Sequence, residues 1–175
     1  MNKRELKRVL KEEKTYYPCM GSFVKILYGI LCQERDIYTY RFICELRKTE
    51  YFSQKKDRSM LHRILYIYHK RKKNRLGKKV NLDIGENVFA PGLFIAHTNI
   101  IVGSAKVGNN CKLHGQNCIG SGAVIGNNCE LWVGAKVFGP SRLANNITVA
   151  AGAVVISSFD EEGITVGGVP ARKIK

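Results

Sequence analysis

A six-residue repeat in the second half of the chain limits its possible folds more than any other feature. From Ile101 the sequence divides without interruption into the hexads IVGSAK, VGNNCK, LHGQNC, IGSGAV, IGNNCE, LWVGAK, VFGPSR, LANNIT and VAAGAV. Each hexad begins with an aliphatic residue, and most fifth positions are small. The frame extends backward through IAHTNI and FAPGLF and slips by one residue near Asp83. This pattern predicts short strands joined by tight corners, in coils that bury their inner faces against their neighbours.

A second, longer period is superimposed on the six-residue repeat. The segments VGNNC at Val107, IGNNC at Ile125 and LANNI at Leu143 recur in every third hexad, so three hexads make one coil. These segments should stack at one corner, because Asn and Gly tolerate the left-handed backbone that a tight corner requires. Stacked coils should lie about 4.8 Å apart, as neighbouring parallel strands do.

The six cysteines contain no CxxC pair and are expected to be reduced thiols. Cys111 and Cys129 share an inward column one coil apart, which favours a role as small apolar filler. Cys118 falls at an outward position where the frame places no basic partner beside it, so we do not expect it to act as a nucleophile.

The first half differs in pattern and in charge. Up to Leu82 the chain has 22 basic and 8 acidic residues, whereas the remainder has 7 and 6. Apolar residues recur at helical spacing in NKRELKRVLKEEK, SFVKILYGILC and SMLHRILYIYHKRKK; Ser59 is expected to cap the third helix and Gly77 to end it. We predict a basic α-helical domain over 1–80, a β-helix over 81–166 and a capping tail over 167–175.

The basic segment HKRKKNRLGKK has three possible interpretations: a solvated face, a surface for anionic lipid headgroups, or a surface for an acidic saccharide. Nucleic acid is not expected, because no recognition motif accompanies the charge. No apolar run reaches the ~18 residues of a membrane span, since Lys25 interrupts the best candidate. The charged start lacks the features of a secretory signal. We therefore expect a cytoplasmic protein, at the inner face of the membrane if the basic half contacts lipid.

The hexad array, the ending TVGGVPARKI and the segment DIGENVFAPGLFIAHTNIIVG together resemble the left-handed parallel β-helix acetyltransferases. Within them they resemble the serine acetyltransferase branch and its relatives in bacterial capsule and O-antigen loci. The resemblance covers 83–175. It implies an α+β chain with a left-handed β-helix of about four to five triangular coils and acetyl-CoA as co-substrate without a metal. It also implies a homotrimer with sites between subunits, which the helices of the first half would join into a dimer of trimers if they pair.

The resemblance also implies a catalytic pair. His97 in FIAHTNIIVG matches the family's general base, and Asp83 in DIGE matches the aspartate that orients it. The chemistry agrees, because a hydroxyl that attacks a thioester must lose its proton and imidazole has an ordinary pKa of about 6.5. A carboxylate on the other ring nitrogen would fix the tautomer. Only Asp83, Glu86 and Glu130 offer carboxylates between Val80 and Ser158.

His114 and Asn99 are candidate acceptor-binding residues. His114 follows His97 by one residue less than a full coil, so the two imidazoles should be neighbours on adjacent coils. An inert side chain and one half of a metal site are alternatives for His114. A zinc site needs three or four ligands, and the array offers no third histidine.

The donor site follows from the resemblance as well. Related enzymes lay the pantetheine arm of acetyl-CoA along the groove between subunits, near the last coils. That implies contacts from Ala151, Gly152, Gly167 and Gly168, with Arg172 and Lys173 at the phosphates. A tail that only caps the open end of the β-helix is an alternative for GGVPARKIK.

The acceptor is predicted from departures from the family pattern. Ala96 stands where serine acetyltransferases have an aspartate, and CIGSGAVIGNN runs through where they extrude a loop that holds serine. We therefore expect an acetyl-CoA-dependent O-acetyltransferase that modifies a sugar of a surface polysaccharide or its precursor. Serine O-acetylation in cysteine biosynthesis is the first alternative. A non-catalytic or metal-dependent β-helix protein is the second.

Overall fold

The computed structural model describes all 175 residues and divides the chain into two compact units, Met1–Val80 and Asn81–Lys175. The first unit is helical, and the second consists of short strands in about five coils. The predicted fold class, helices followed by a β-helix, is confirmed. The strand order is as expected for a left-handed parallel β-helix.

The helical unit contains four α-helices and a short 3₁₀ turn at Pro18–Gly21. The α-helices are α1 (Lys3–Lys14), α2 (Phe23–Leu31), α3 (Arg35–Ser53) and α4 (Met60–Val80). Asn2 caps α1 in a capping box with Glu5, and Ser22 accepts a hydrogen bond from the Lys25 amide at the start of α2. None of these helices combines the length and the hydropathy that a membrane span requires.

The bounds of α4 confirm one expectation and correct another. The Ser59 hydroxyl accepts a hydrogen bond from the His62 amide at 3.3 Å, as predicted for a cap. Gly77, however, lies inside the helix, which continues to Val80. The residue that ends α4 is Asn81, whose φ of 50° is incompatible with another helical turn. Glycine within a helix costs only about 1 kcal/mol, so its presence alone did not mark a boundary.

Buried charge organises the helical unit. Helix α3 buries residues on nearly every side, among them Arg47, whose side chain is 2% exposed. The Arg47 guanidinium donates to Glu13 of α1 at 2.6 Å and to Glu50 at 2.9 Å. Burial alone would lower the pKa of Arg47, but its two carboxylate partners raise it above the ordinary value.

The sequence alone predicts that His69, at the start of the basic segment, is a solvated residue, and this prediction is wrong. Its Nδ1 lies 2.7 Å from Glu45 Oε2, and its ring stacks on Phe52 with 5.1 Å between centroids. Glu45 also pairs with Lys48 at 3.0 Å and with Lys72 at 3.1 Å. The histidine is therefore part of a polar contact between α3 and α4.

Three sheets form the faces of the β-helix. Sheet A has the order β1-β3-β6-β9-β12, sheet B has β4-β7-β10, and sheet C has β2-β5-β8-β11-β13-β14. All neighbours are parallel except β13 and β14, which pair antiparallel where the tail folds back on the last coil. The strands are β1 (Leu82–Ile84), β2 (Phe94–Ile95), β3 (Ile100–Val102), β4 (Lys106–Val107), β5 (Lys112–Leu113), β6 (Cys118–Ile119), β7 (Val124–Ile125), β8 (Glu130–Leu131), β9 (Lys136–Val137), β10 (Arg142–Leu143), β11 (Thr148–Val149), β12 (Val154–Val155), β13 (Thr165–Gly167) and β14 (Arg172–Lys173).

The core of the β-helix contains the two inward positions of the hexad. From Val107 onward the aliphatic first positions and the small fifth positions are buried, Cys111 and Cys129 among them. Each of these thiols donates to a backbone carbonyl of the next coil, at 3.2 Å. Hydrogen bonding with Cys129, together with burial, raises the pKa of the Cys111 thiol. Their predicted role as filler is confirmed.

The repeated Asn pairs form ladders along one corner. Asn110 Nδ2 donates to Asn128 Oδ1 at 3.3 Å, and Asn128 Nδ2 donates to Asn146 Oδ1 at 3.1 Å. All three residues have a left-handed backbone, with φ between 56° and 60°. The predicted stacking of every third hexad at this corner is therefore confirmed, with side-chain amides that bridge the coils.

The hexad frame departs from the prediction at one place. Ile101 is 60% exposed, and its neighbour Val102 occupies the inward position. Strand β3 pairs with β6 in the register Val102 to Ile119, which is one residue short of three hexads. The corner between Ile95 and Val102 is therefore one residue longer than the others, and the next segment is one residue shorter. The extra residue lies in the corner that contains His97.

Candidate active-site edge

The corners that follow the strands of sheet C stack into one edge of the β-helix, here called the C edge. It consists of 96–99, 114–117, 132–135, 150–153 and 168–170, which follow β2, β5, β8, β11 and β13. Six residues predicted from the sequence lie on this edge: His97, Asn99, His114, Ala151, Gly152 and Gly168. The fold therefore gathers most of the predicted site along a single line.

His97 is exposed at the first corner of the C edge. Gly115 of the next coil lies directly beside it, since a Cβ at Gly115 would come within 2.6 Å of the His97 Cβ. The backbone around His97 is held by two hydrogen bonds, from the Gln116 amide to the Thr98 carbonyl at 2.9 Å and from the Ile100 amide to the Asn81 carbonyl at 3.1 Å. The predicted base thus has a fixed backbone and an accessible ring.

Asn117, which was not predicted, supports this corner from inside the β-helix. Its buried side chain accepts a hydrogen bond from the Gly115 amide at 2.9 Å and donates to the Trp132 carbonyl at 2.8 Å. It occupies a fifth position, where most hexads have a small apolar residue. A polar residue at such a position is the signal that could have identified it.

Asp83 occupies the middle of β1 and points outward from sheet A. Its partner in register is Ile101 of the next coil. The role of Asp83 in orienting His97 stays a prediction. Asn99 is exposed on the C edge with φ 62°, a conformation that turns the chain into β3.

His114 lies on the coil next to His97, as predicted, and it belongs to a cluster with Glu130 and Trp132. His114 Nε2 lies 2.6 Å from Glu130 Oε1, within hydrogen-bond distance. The imidazole stacks on the Trp132 indole with 4.5 Å between centroids and 4° between planes. Neither Glu130 nor Trp132 was predicted to be its partner, because the contact depends on how corner side chains turn between coils.

The residues expected at the donor site fall into two groups. Ala151 and Gly152 form a corner of the C edge, where the Gly152 amide donates to the Val133 carbonyl at 2.9 Å. The Gly168 carbonyl accepts from the Val154 amide at 3.0 Å, and Gly168 has φ 94°. Gly167 is buried in β13. The Gly152 amide and the Gly168 carbonyl are therefore already bonded within the β-helix.

The two basic tail residues differ in their surroundings. Arg172 is exposed in β14, whereas Lys173 Nζ donates to Glu161 Oε1 at 2.6 Å. This ion pair is itself exposed, so it is worth about 1 kcal/mol or less. An anionic ligand would therefore compete with Glu161 for Lys173 at little cost.

The spacing along the C edge sets the scale of the site. Ala151 lies three coils from His97, or about 14 Å at the usual separation of parallel strands. An extended arm that lies along the edge can join the two positions. No group of three or more His, Cys, Asp and Glu side chains is arranged to hold a metal ion.

No protein-family model and no curated protein matches the chain. Solved structures do match it. A serine O-acetyltransferase from Brucella melitensis, described as a bacterial transferase hexapeptide repeat, superposes with a TM-score of 0.72 and 23% identity over 98% of this chain and 68% of that one. A serine acetyltransferase from Neisseria gonorrhoeae in complex with serine gives 0.67 and 22% over 99% and 70%. A serine acetyltransferase in complex with CoA gives 0.62 and 22% over 78% and 57%.

The fold is therefore that of the hexapeptide-repeat serine acetyltransferases. This chain spans about two thirds of the length of the Brucella and Neisseria proteins, and less of the enzyme solved with CoA. At 22–23% identity the likeness establishes the architecture.

Proposed function

We propose that this protein is an acetyl-CoA-dependent O-acetyltransferase in which His97 is the general base. The observation that carries the proposal is the C edge, which aligns His97 with the Ala151–Gly152 and Gly168 corners. Proteins of the same fold include serine acetyltransferases solved with CoA and with serine. An edge with a base at one end and small residues at the other suits an extended thioester and an acceptor hydroxyl.

The proposed reaction moves one acetyl group. The acceptor oxygen attacks the thioester carbonyl carbon while His97 takes the hydroxyl proton, and the C–S bond then breaks to release the thiolate of CoA. The imidazolium returns its proton to that sulfur. Asp83 is proposed to orient His97. Arg172 and Lys173 are proposed to bind the phosphates of acetyl-CoA as charge-assisted donors.

The proposed acceptor is a sugar of a surface polysaccharide or of its precursor. Ala96 supports this, because it removes the carboxylate that would meet the ammonium group of serine. The hexads from Cys118 to Asn128 support it as well, since β6 and β7 follow each other without an extruded loop. L-Serine is the second candidate, favoured by the neighbour solved with serine.

Assembly and location are further parts of the proposal. A homotrimer would place C edges against neighbouring subunits. The exposed face of α4 has Ile64 and Ile67 followed by Arg71, Arg75 and Lys78, a combination that suits an anionic membrane surface. Flotation with anionic vesicles should be lost at high salt; absence of binding at low salt would remove the membrane contact.

The decisive experiment measures thiol release from acetyl-CoA with L-serine and with a panel of free and lipid-linked sugars. His97→Ala should reduce the rate with the best acceptor by about 10²- to 10⁴-fold, because a general base contributes that much. His62→Ala, which removes an imidazole from the helical unit, is the matched control and should keep the rate. An active His97→Ala protein would exclude His97 as base, and turnover highest with L-serine would exclude the sugar acceptor.

A further inference from the structure

Helix α2 exposes an apolar face that the helical unit does not use in its core. Among the residues of this helix only Gly29 is buried and only Lys25 is charged. At about 100° per residue, five of its side chains fall within a sector about 140° wide. This sector, here called the α2 stripe, consists of Phe23, Val24, Leu27, Tyr28 and Leu31, whose exposed fractions run from 47% to 78%.

The α2 stripe points away from α3. Gly29 lies on the opposite side of α2, where an added Cβ would come within 2.6 Å of Ile37 Cγ1 in α3. The helix therefore packs through its glycine and leaves its large apolar side chains in water. A helix that belongs to a core normally does the reverse, and contiguous exposed apolar surface marks a site of interaction.

The length of α2 and its polar residues suit a bilayer surface. The helix is about 14 Å long, whereas the hydrocarbon core of a bilayer is about 30 Å thick, so α2 is too short to cross a membrane. It is long enough to lie in the plane of the interface, where amphipathic helices insert about 5–10 Å. Tyr28 and Lys25 fit that depth, because each combines an apolar body with a polar end that reaches the headgroups.

The charge of the helical unit favours a lipid surface over a second copy of the chain. The unit has 22 basic and 8 acidic residues, a net charge of +14, so two copies that met through it would repel each other. Anionic headgroups would instead attract it. Helix α1, which precedes α2, adds six exposed basic side chains: Lys3, Arg4, Lys7, Arg8, Lys11 and Lys14. Apolar insertion and electrostatic attraction are the two contributions that stable attachment to a membrane requires.

We propose that α2 is a membrane anchor whose α2 stripe inserts into the boundary between headgroups and acyl chains of an anionic bilayer. Lys25 lies beside the inserted face, at the level of the lipid phosphates. This inference goes beyond the charged contact proposed for α4, because it assigns apolar insertion to a different helix. It does not depend on acetyl transfer.

A tryptophan on the α2 stripe tests the insertion directly. Trp132→Phe removes the only tryptophan of the chain, and Leu27→Trp in that background places a single fluorophore on the stripe. With vesicles of phosphatidylcholine and phosphatidylglycerol its emission should shift to the blue, and bromine on the acyl chains should quench it. Ile156→Trp in the same background, at a position 60% exposed in the β-helix unit, is the control and should show neither change. Absence of quenching for Leu27→Trp, with or without vesicle binding, would overturn the anchor.

Flotation with the same vesicles measures how much the stripe contributes. Leu27→Gln/Leu31→Gln keeps the charge and should weaken binding at low salt by about 10²-fold or more, because burial of each leucine contributes roughly 10- to 100-fold. Ile101→Gln/Ile156→Gln removes two exposed apolar side chains from the β-helix unit and should bind like the wild type. Unchanged flotation of Leu27→Gln/Leu31→Gln would overturn the anchor and keep the charged contact of α4. A lower oligomeric state of this variant without lipid would assign the stripe to a second copy and also overturn the anchor.

The same variant separates the anchor from the proposed function. Both leucines are exposed, so Leu27→Gln/Leu31→Gln should keep the ellipticity of the wild type at 222 nm and its rate of acetyl transfer to a free sugar. Lipid binding without any acetyl transfer in the wild type would refute the proposed function and keep the anchor. Acetyl transfer without quenching of Leu27→Trp would refute the anchor and keep the function.

Discussion

The two units of the chain reach a stable fold by different means. The helical unit carries nearly all the net charge and buries an ion triad of Arg47 with Glu13 and Glu50. The β-helix unit is nearly neutral and buries aliphatic residues, small residues and two thiols, while asparagine side chains link its coils. One unit depends on a few large interactions, and the other repeats many small ones.

This difference predicts how each unit responds to a single substitution. Removing one partner of a buried ion pair leaves an uncompensated charge, which costs about 3–5 kcal/mol. Removing one asparagine from the ladder should cost only the free energy of that residue's own interactions, because neighbouring coils keep their contacts. The two units can be observed separately, since Trp132 reports on the β-helix and ellipticity at 222 nm is dominated by the helices.

The largest effect is expected from Arg47→Met. It removes the guanidinium that pairs with the buried Glu13 and Glu50, so the free energy of unfolding of the helical unit should fall by about 3–5 kcal/mol in urea titrations followed at 222 nm. Arg41→Met removes an exposed arginine from the same helix and should cost less than about 1 kcal/mol. Equal losses in the two variants would contradict a helical unit organised by the buried triad.

The next effect concerns the ladder and is smaller. Asn128→Ala removes two side-chain hydrogen bonds and places an alanine at φ 56°, where asparagine is better tolerated, so we expect a loss of about 1–3 kcal/mol in titrations followed by Trp132 fluorescence. Asn128→Gly relieves the backbone strain but not the lost bonds, and it should recover part of the stability. If the glycine variant matches the wild type, the ladder contributes nothing and only the backbone conformation matters.

The same difference explains what the sequence could predict. The β-helix was predictable because each hexad repeats one local rule, so the buried columns and the Asn corner followed from spacing alone. The predicted hexad frame was wrong at Ile101. The corner before Val102 is one residue longer than the others and the next segment is one residue shorter, so the two changes cancel and the later hexads keep the predicted frame. The helical unit has no such redundancy. Helix α3 was missed because it is buried on nearly every side and lacks a polar face.

The candidate site was predictable to the same extent. His97 and His114 were placed on adjacent coils by counting residues, whereas the Ala151–Gly152 corner was predicted from the resemblance. The pairing of His114 with Glu130 and its stacking on Trp132 were not predicted, because these contacts join side chains of successive coils and depend on side-chain rotamers. Asn117 interrupts the pattern of small fifth positions, which marks it as unusual, but its partners are backbone groups that the pattern does not identify.

The smallest effect should come from Glu45, whose partners Lys48 and Lys72 are half-exposed. Burial raises the pKa of this carboxyl, but hydrogen bonds from His69 and the two lysines outweigh it and hold the pKa below its ordinary value. A lowered folded-state pKa gives stability above the unfolded pKa of about 4.3, and this stability is lost as the pH falls through the folded value.

Glu45→Gln should therefore destabilise the helical unit at neutral pH, and its difference from the wild type should shrink below about pH 4, when the wild-type carboxylate takes up its proton. Urea titrations followed at 222 nm across this range measure that difference, with the exposed Glu12→Gln as the control that should show no such trend. A difference that stays constant with pH would mean that the shape of the Glu45 side chain, rather than its charge, supports the contact between α3 and α4. The charge-based account of the helical unit would then be confined to the Arg47 triad.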